Sequence, residues 1–277
     1  MTTRAYPEID KLKTMLELRK EIDTRKAEAG SLGFFRRSRK EALEREIADI
    51  QGQLESIRQQ ILALPYPYDH LIMMAARDMD AIPFGRLTEE ESVDMAPIQW
   101  KLLDIEGTYA LFLSRDALFS TTFHSFCEEV TYEDSTVRDI LNDSCLNLWF
   151  DPGEKERIEE QMVWTNENSR SGKSLTSTMD YLFLLDGEEA VKYLLPGTLS
   201  CQGTDLLEAG EQGANANVCW WLRSPGLDLA HRQYITPDGC IDVDGTSVEM
   251  TRRGMGSFAD DTHFDVYIRP AMWVQLI

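Results

Sequence analysis

The sequence predicts an α+β protein in two parts, an antiparallel helical hairpin over residues 1–65 and a body of short strands and short helices over 66–277. Three observations carry that reading. An apolar residue recurs every three or four positions from Leu43 to Leu64. Pro65 and Pro67 stand where that repeat stops. Beyond them, β-type runs are broken at short intervals by turn signals such as Glu106-Gly107, Pro237-Asp238-Gly239 and Asp244-Gly245.

Taken in order, the first helix starts near Pro7 and offers Ile9, Leu12, Leu16 and Ile22 as its apolar stripe. Ala29 to Phe35 contains two glycines and breaks the helical run, and the basic cluster Arg36, Arg37, Arg39 and Lys40 follows. The second helix carries Leu43, Ile47, Ile50, Leu54, Ile57, Ile61 and Leu64 at alternating steps of four and three, the spacing of a coiled-coil seam. A two-helix hairpin has little core of its own. Residues 8–64 are therefore expected to pack on the body, on a second copy or on a partner helix, and Phe34-Phe35 to fold back on the hairpin. In the body, Asp69 to Asp80 reads as one short helix. Ile82–Leu87, Ile98–Ile105 and Tyr109–Ser114 read as strands, the last two joined in a hairpin. Ser135 to Leu141 reads as a helix with a hydroxyl cap, and Lys155 to Met162 as a helix opened by Asp151-Pro152. Tyr181–Leu185 is expected to be a strand, Gly187–Leu194 a short helix, and 196–218 an irregular connection. From Cys219 to Trp273 short strands alternate with turns. In Tyr234-Ile235 and Cys240 to Val243 that alternation is expected to turn Asp and Tyr side chains outward.

Charge is unevenly distributed. Residues 1–64 hold thirteen basic and eleven acidic side chains, which leaves the remainder at about −22 of the net −20. An acidic body repels phosphate backbones, so nucleic acid is not expected as a partner. Five cysteines, odd in number and without a C-x-x-C pair, read as small hydrophobes in a reducing compartment. Met1 to Glu8 lacks the apolar core of a signal peptide, and no run of about eighteen apolar residues is present to span a membrane. The expectation is a cytoplasmic product without membrane insertion.

Little in the chain points to catalysis. The four histidines are scattered, and no metal-spaced pair, nucleophile elbow, phosphate loop or dinucleotide fingerprint is present. Ser171-Gly172-Lys173-Ser174 has Glu167 where a phosphate loop needs its first glycine. Asp238, Asp242, Asp244 and Asp260-Asp261 read as turn residues bonding their own backbone rather than as calcium ligands. No metal and no cofactor are expected. Cys127 with His124, or an aspartate pair, would centre an enzymatic alternative. A structural adaptor acting through the coiled coil is a third.

One series of motifs runs through the body: Pro83 to Arg86 (P-F-G-R), Ile98 to Leu103 (I-x-W-x-x-L), Ser135 to Asn142 (S-x-x-R-x-x-L-N), Phe183 to Glu189 (F-L-L-x-x-E-E), Trp220 to Gly226 and Arg269 to Trp273 (R-P-A-x-W). The series resembles a bacterial domain family of unknown function with a C-type-lectin-like fold, in the branch related to formylglycine-generating enzymes. Some relatives are similar to variable proteins of diversity-generating retroelements. The resemblance implies a compact domain with a small twisted antiparallel sheet, whose C-terminal strand returns beside the N-terminal one. It also implies a recognition surface between the last two motifs, rewritten at asparagine codons. Here that surface would comprise Asp228, His231, Arg232, Tyr234, Asp242, Asp244, Thr246, Glu249, His263, Asp265 and Tyr267, with Tyr234, Tyr267, His231 and His263 as anchors. Trp100, Trp220, Trp221, Arg223, Arg269 and Trp273 would form the scaffold, and the ligand would be a protein or another macromolecule. Residues 250–258 read as an insertion, and the calcium signatures of lectins and the paired cysteines of the enzymes are absent.

Overall fold

The computed structural model describes residues 6–32, 36–64, 70–87, 97–166, 175–195, 198–203, 216–249 and 265–277. Phe34-Phe35, the Pro65–Tyr68 break, Gly172-Lys173-Ser174, the insertion at 250–258, Asp260-Asp261 and His263 lie outside these residues.

The hairpin forms as expected from α1 (Pro7–Ser31) and α2 (Arg37–Leu62). Leu43, Ile50, Leu54 and Ile61 of the seam are buried, with Ile47 and Ile57 at its margin. Ile50, Leu54 and Ile61 share a cluster with Ile9, Leu12, Met15, Leu16 and Ile22 of α1. This core does not end at the hairpin. Leu71, Ile72, Ala75 and Ala76 of α3 (His70–Arg77) belong to the same cluster, as do Ile82, Ile98 and Trp100 of the body. The hairpin therefore buries its stripe against the protein's own body, which supplies the apolar area that two helices lack. Polar ties reinforce the seat. Asp80 receives Arg19 of α1 at 2.5 Å and Lys101 of the body at 3.3 Å, and Arg58 of α2 donates to the Ala76 carbonyl.

The chain then supplies β1 (Ile82–Arg86), β2 (Pro97–Glu106), β3 (Tyr109–Ser114) and β4 (Phe119–Ser120). A helical run follows: α4 (Thr136–Asp139), a π-helical turn (Ile140–Cys145), α5 (Leu146–Trp149) and the single turn α6 (Pro152–Lys155). Next come β5 (Ile158–Glu159), the ribbon β6 (Gln161–Asn166) and β7 (Leu175–Asp180), β8 (Phe183–Leu184) and α7 (Gly187–Tyr193). The chain closes with β9 (Cys201–Gln202), β10 (Asn217–Pro225), β11 (His231–Ile235), β12 (Ile241–Ser247), β13 (Val266–Ile268) and β14 (Pro270–Gln275).

One sheet has the order β1-β2-β3-β14-β5, with β8 also on β14; the other has β12-β11-β10-β13-β4, with β9 also on β10. The two share a corner. Leu113 of β3 faces Ala271 of β14, and Phe119 of β4 faces Ile268 of β13, so a pair of neighbouring strands leaves one sheet and enters the other together. Arg269 sits at the bend and donates to the carbonyls of Ser114 and Arg115, holding both strands where their pairing is interrupted.

Successive residues of β10 feed two different cores. Trp221 and its cross-strand partner Tyr234 lie in the cluster shared with the hairpin, whereas Trp220 and its partner Ile235 lie in a second cluster with Leu113, Leu185 and Leu222. Both faces of this sheet centre are covered.

Five expectations are corrected. The sheets are two and larger than a single small one, and β13 runs parallel to β10 across an intervening stretch long enough for a crossover. β14 returns beside β3, with β2 and β3 between it and β1. The helix expected over Lys155–Met162 stops at Lys155, because from Ile158 the chain pairs with β14 and from Gln161 with β7. The 196–218 connection contains β9, which pairs with the start of β10. Ser135 stands at the start of α4, but its hydroxyl turns back to the Tyr132 carbonyl and does not cap the helix.

Candidate functional site

The motif residues turn out to be one another's partners. Trp100 Nε1 of I-x-W-x-x-L donates to the Phe84 carbonyl of P-F-G-R at 2.6 Å. Arg138 and Asn142 of S-x-x-R-x-x-L-N both bond the buried Asp180 carboxylate, and the Asn142 amide oxygen accepts from the backbone of Tyr181 and Leu182. Glu189 of F-L-L-x-x-E-E closes a capping box with Asp186 at the start of α7. The same two carboxylates receive the buried Arg223 guanidinium, Glu189 at 2.5 Å and Asp186 at 3.1 Å. Arg223 also donates to the carbonyls of Leu184 and Trp164, so one side chain ties β10 to β6, β8 and α7. Burial works against the charge on Arg223, but Glu189 and Asp186, with Tyr132, together outweigh it and hold its pKa above the ordinary value. At Asp186 burial wins, and the carboxyl is pushed above the usual carboxylate range despite Arg223. Trp220 and Trp221 are fully buried, and their indole N–H groups donate to the carbonyls of Leu199 and Thr121. The Arg269 guanidinium lies over the Trp220 ring, 5.0 Å from its centroid. Trp100, Trp220, Trp221, Arg223 and Arg269, assigned to a scaffold from the sequence, are buried, and Trp273 is partly buried.

Against this frame the expected surface residues divide. Arg232 is not on the surface. It is fully buried, stacked on Phe123 and donating to the carbonyls of Arg223 and Val130. Tyr234 is buried as well. Its hydroxyl donates to Asp242, and burial pushes its pKa up. Both corrections have the same cause, a β11 strand covered on its two faces, and the exposed residues of that region include Cys240, Val243 and Asp244. Asp242 in turn accepts from the Gly245 amide, closing the tight turn in β12. Gly245 has φ +74°, and a Cβ there would collide with the Arg232 carbonyl; at Gly226 the same addition would meet that of Asp244.

What reaches solvent is a rim at one end of the second sheet. Asp228 is exposed and accepts from the His231 ring at 2.6 Å and from the Ala230 amide. The bond from His231 holds the Asp228 carboxyl below its ordinary range. His231 faces Ser247 across the strands, and Arg232 faces Thr246. Asp244 is exposed, while Thr246 and Glu249 are half-buried. Asp265 and Tyr267 are half-buried near β13, with Tyr267 aligned with Trp220, so they sit on the far side of β10 from β11. The structure thus brings Asp228, His231, Asp244 and Thr246 to one rim and leaves Asp265 and Tyr267 apart.

Sequence reasoning missed the other side of that rim. The loop after β4 lies against it, with backbone bonds from His124 to Val248 and from Val130 to Leu229. It presents the exposed Phe126 and places Cys127 Sγ 3.8 Å from Ser247 Oγ. No local signal links residues so far apart in the chain. His124 bonds Thr136 and Glu128, not Cys127, so the nucleophile pair considered from the sequence does not form. Among the described residues no group of three or more His, Cys, Asp and Glu is arranged to hold a metal ion. No helix of the described residues is long and apolar enough to cross a membrane.

A separate cleft of about 510 Å³ opens between β6 and α7, with Arg223 and Phe183 in its lining, and a groove of about 430 Å³ separates the helical hairpin from the Arg77–Met79 turn.

The fold and its arginine–tryptophan frame define a mixed α+β domain with an N-terminal helical hairpin. A domain family of unknown function, DUF6273, matches residues 108–276, and the chain belongs to that family. The P-F-G-R and I-x-W-x-x-L motifs fall before the matched span. No curated protein and no solved structure matches the chain.

Proposed function

We propose that this chain is a non-enzymatic binding protein that presents a recognition surface on a C-type-lectin-like scaffold. The surface is the rim formed by the β10–β11 connection, β12 and the loop after β4. One observation carries the reading. Between Trp221 and Arg269 the described residues include a buried set that holds the frame, Arg232 and Tyr234 among them, and an exposed set of varied chemistry, including Asp228, Val243 and Asp244. A surface of this kind can change its side chains at little cost to the fold, because substitutions away from buried networks usually shift stability by under about 0.5 kcal/mol. That tolerance is what retroelement diversification of the segment requires. The ligand would be a protein or another macromolecule, and the setting cytoplasmic.

The test has two arms. Sequencing the locus in sister cells should concentrate substitutions at the exposed positions and spare Arg232, Tyr234 and the glycines; substitutions spread evenly over residues 80–277 would remove the diversification reading. Affinity capture with the intact protein and with the Asp228→Ala/Asp244→Lys/Glu249→Lys variant should differ in the partner recovered. Equal recovery, with both proteins equally stable, would sink the rim as the contact surface.

A further inference from the structure

The β6–β7 ribbon belongs to neither large sheet, yet it is firmly held. Arg223 bonds the Trp164 carbonyl on one strand, and Arg138 bonds the Met179 carbonyl and Asp180 on the other. Its inner face buries Val163, Thr165, Thr178 and Asp180. Its outer face does the reverse. Met162 and Met179 are directly opposed, Trp164 pairs with Ser177, and Leu175 lies one step further along. These four large apolar side chains are between 46% and 58% exposed. Single exposed apolar residues are ordinary, but four contiguous ones on one face of an anchored ribbon mark a contact surface.

Met162 and Trp164 are also one wall of the 510 Å³ cleft, whose opposite wall is α7. The charges in it are unbalanced. Arg223 is shared between Asp186 and Glu189. Lys192 is engaged with Tyr193, bonding its hydroxyl at 2.8 Å and lying over its ring. Glu188 is exposed and has no ion pair among the described residues. The lining holds three acidic and two basic side chains, and an exposed indole beside a carboxylate outside the described ion pairs suits a cation with an aliphatic stem. We propose that this cleft and the adjoining ribbon face form a second binding site, which takes a lysine or arginine side chain presented by an extended, apolar-and-basic segment of another protein. The stem would lie along Met162 and the face of Trp164, and the charged head would meet Glu188. A second copy of this chain fits less well, since its body brings the same excess of negative charge.

The probe is a fluorescent ten-residue peptide alternating lysine with valine, titrated against the full chain, with its glutamate–valine counterpart as control. The lysine peptide should bind and the glutamate peptide should not. Trp164→Ser and Glu188→Gln should each weaken binding about ten-fold, with unchanged thermal unfolding. Asp238→Asn, which removes the same charge from an exposed position on another surface, should leave binding intact. Equal loss in Asp238→Asn and Glu188→Gln would reduce the effect to general charge attraction and overturn the site, as would equal binding of both peptides or no binding of either. Failure here leaves the rim proposal standing, because none of these residues lies on the rim.

Discussion

Replacing Arg223 with methionine tests whether the frame is held by this guanidinium. The substitution keeps the length and apolar volume of the stem and removes a charge that bonds two carbonyls and two carboxylates. Breaking a buried ion pair from one side costs about 3–5 kcal/mol. Asp186 and Glu189 remain 21% and 31% exposed, so water can take over part of their solvation. The loss is therefore set at the lower end, about 3 kcal/mol. For a chain of this size, with a urea slope near 3 kcal/mol per molar, the midpoint should fall by about 1 M. Urea unfolding followed by tryptophan fluorescence reads it directly. Neutralising the stranded partner should return part of the loss, so Arg223→Met/Glu189→Gln is expected to cost at least about 1 kcal/mol less than the sum of the single changes. A loss below about 1 kcal/mol in Arg223→Met, or strict additivity in the double variant, would show that packing alone holds β6, β8 and α7 against β10.

Three other predictions are simpler to read. Cys145 and Cys219 are buried, which pushes both thiols up to about 12, and Cys201 is buried with its thiol raised by burial too, so a thiol reagent at neutral pH should titrate only Cys127 and Cys240 in the folded protein and all five cysteines after unfolding. Burial alone would raise the Asp80 carboxyl, but Lys101 and Arg19 outweigh it and hold it below the ordinary range. Its stabilising contribution is thus present above about pH 4 and lost as pH falls through the lowered value. Asp80→Asn should cost under about 1 kcal/mol at pH 7, and thermal unfolding should show the difference shrinking toward zero in acid. Gly245→Ala must adopt a left-handed backbone and push on the Arg232 carbonyl; a loss of about 2 kcal/mol or more is expected in chemical unfolding, and a neutral result would mean that the β12 turn relaxes freely.

The hairpin was legible because its signal is local: a seam read at steps of three and four is the surface that packs. The scaffold tryptophans and arginines were legible for a similar reason, since large flat and charged groups bury only with partners. The division of Tyr234 and Arg232 from their neighbours was not. Strand alternation predicts which residues share a face, but whether that face meets water depends on what covers it, and β11 is covered on one side by residues near the hairpin and on the other by strands more than a hundred residues upstream. The ribbon β6–β7 was misread in part for the opposite reason. Asp151-Pro152-Gly153-Glu154 is a sound helix start, and only the pairing partners of Ile158 onward stop it after one turn.

The corner at Arg269 has a bearing on how the protein is made. Residues 266–275 supply an interior strand to each sheet, β13 between β10 and β4 and β14 between β3 and β5. Everything they join is synthesised earlier. On a nascent chain both layers therefore keep open edges until β13 and β14 emerge, and closure of the two sheets waits on the same ten residues.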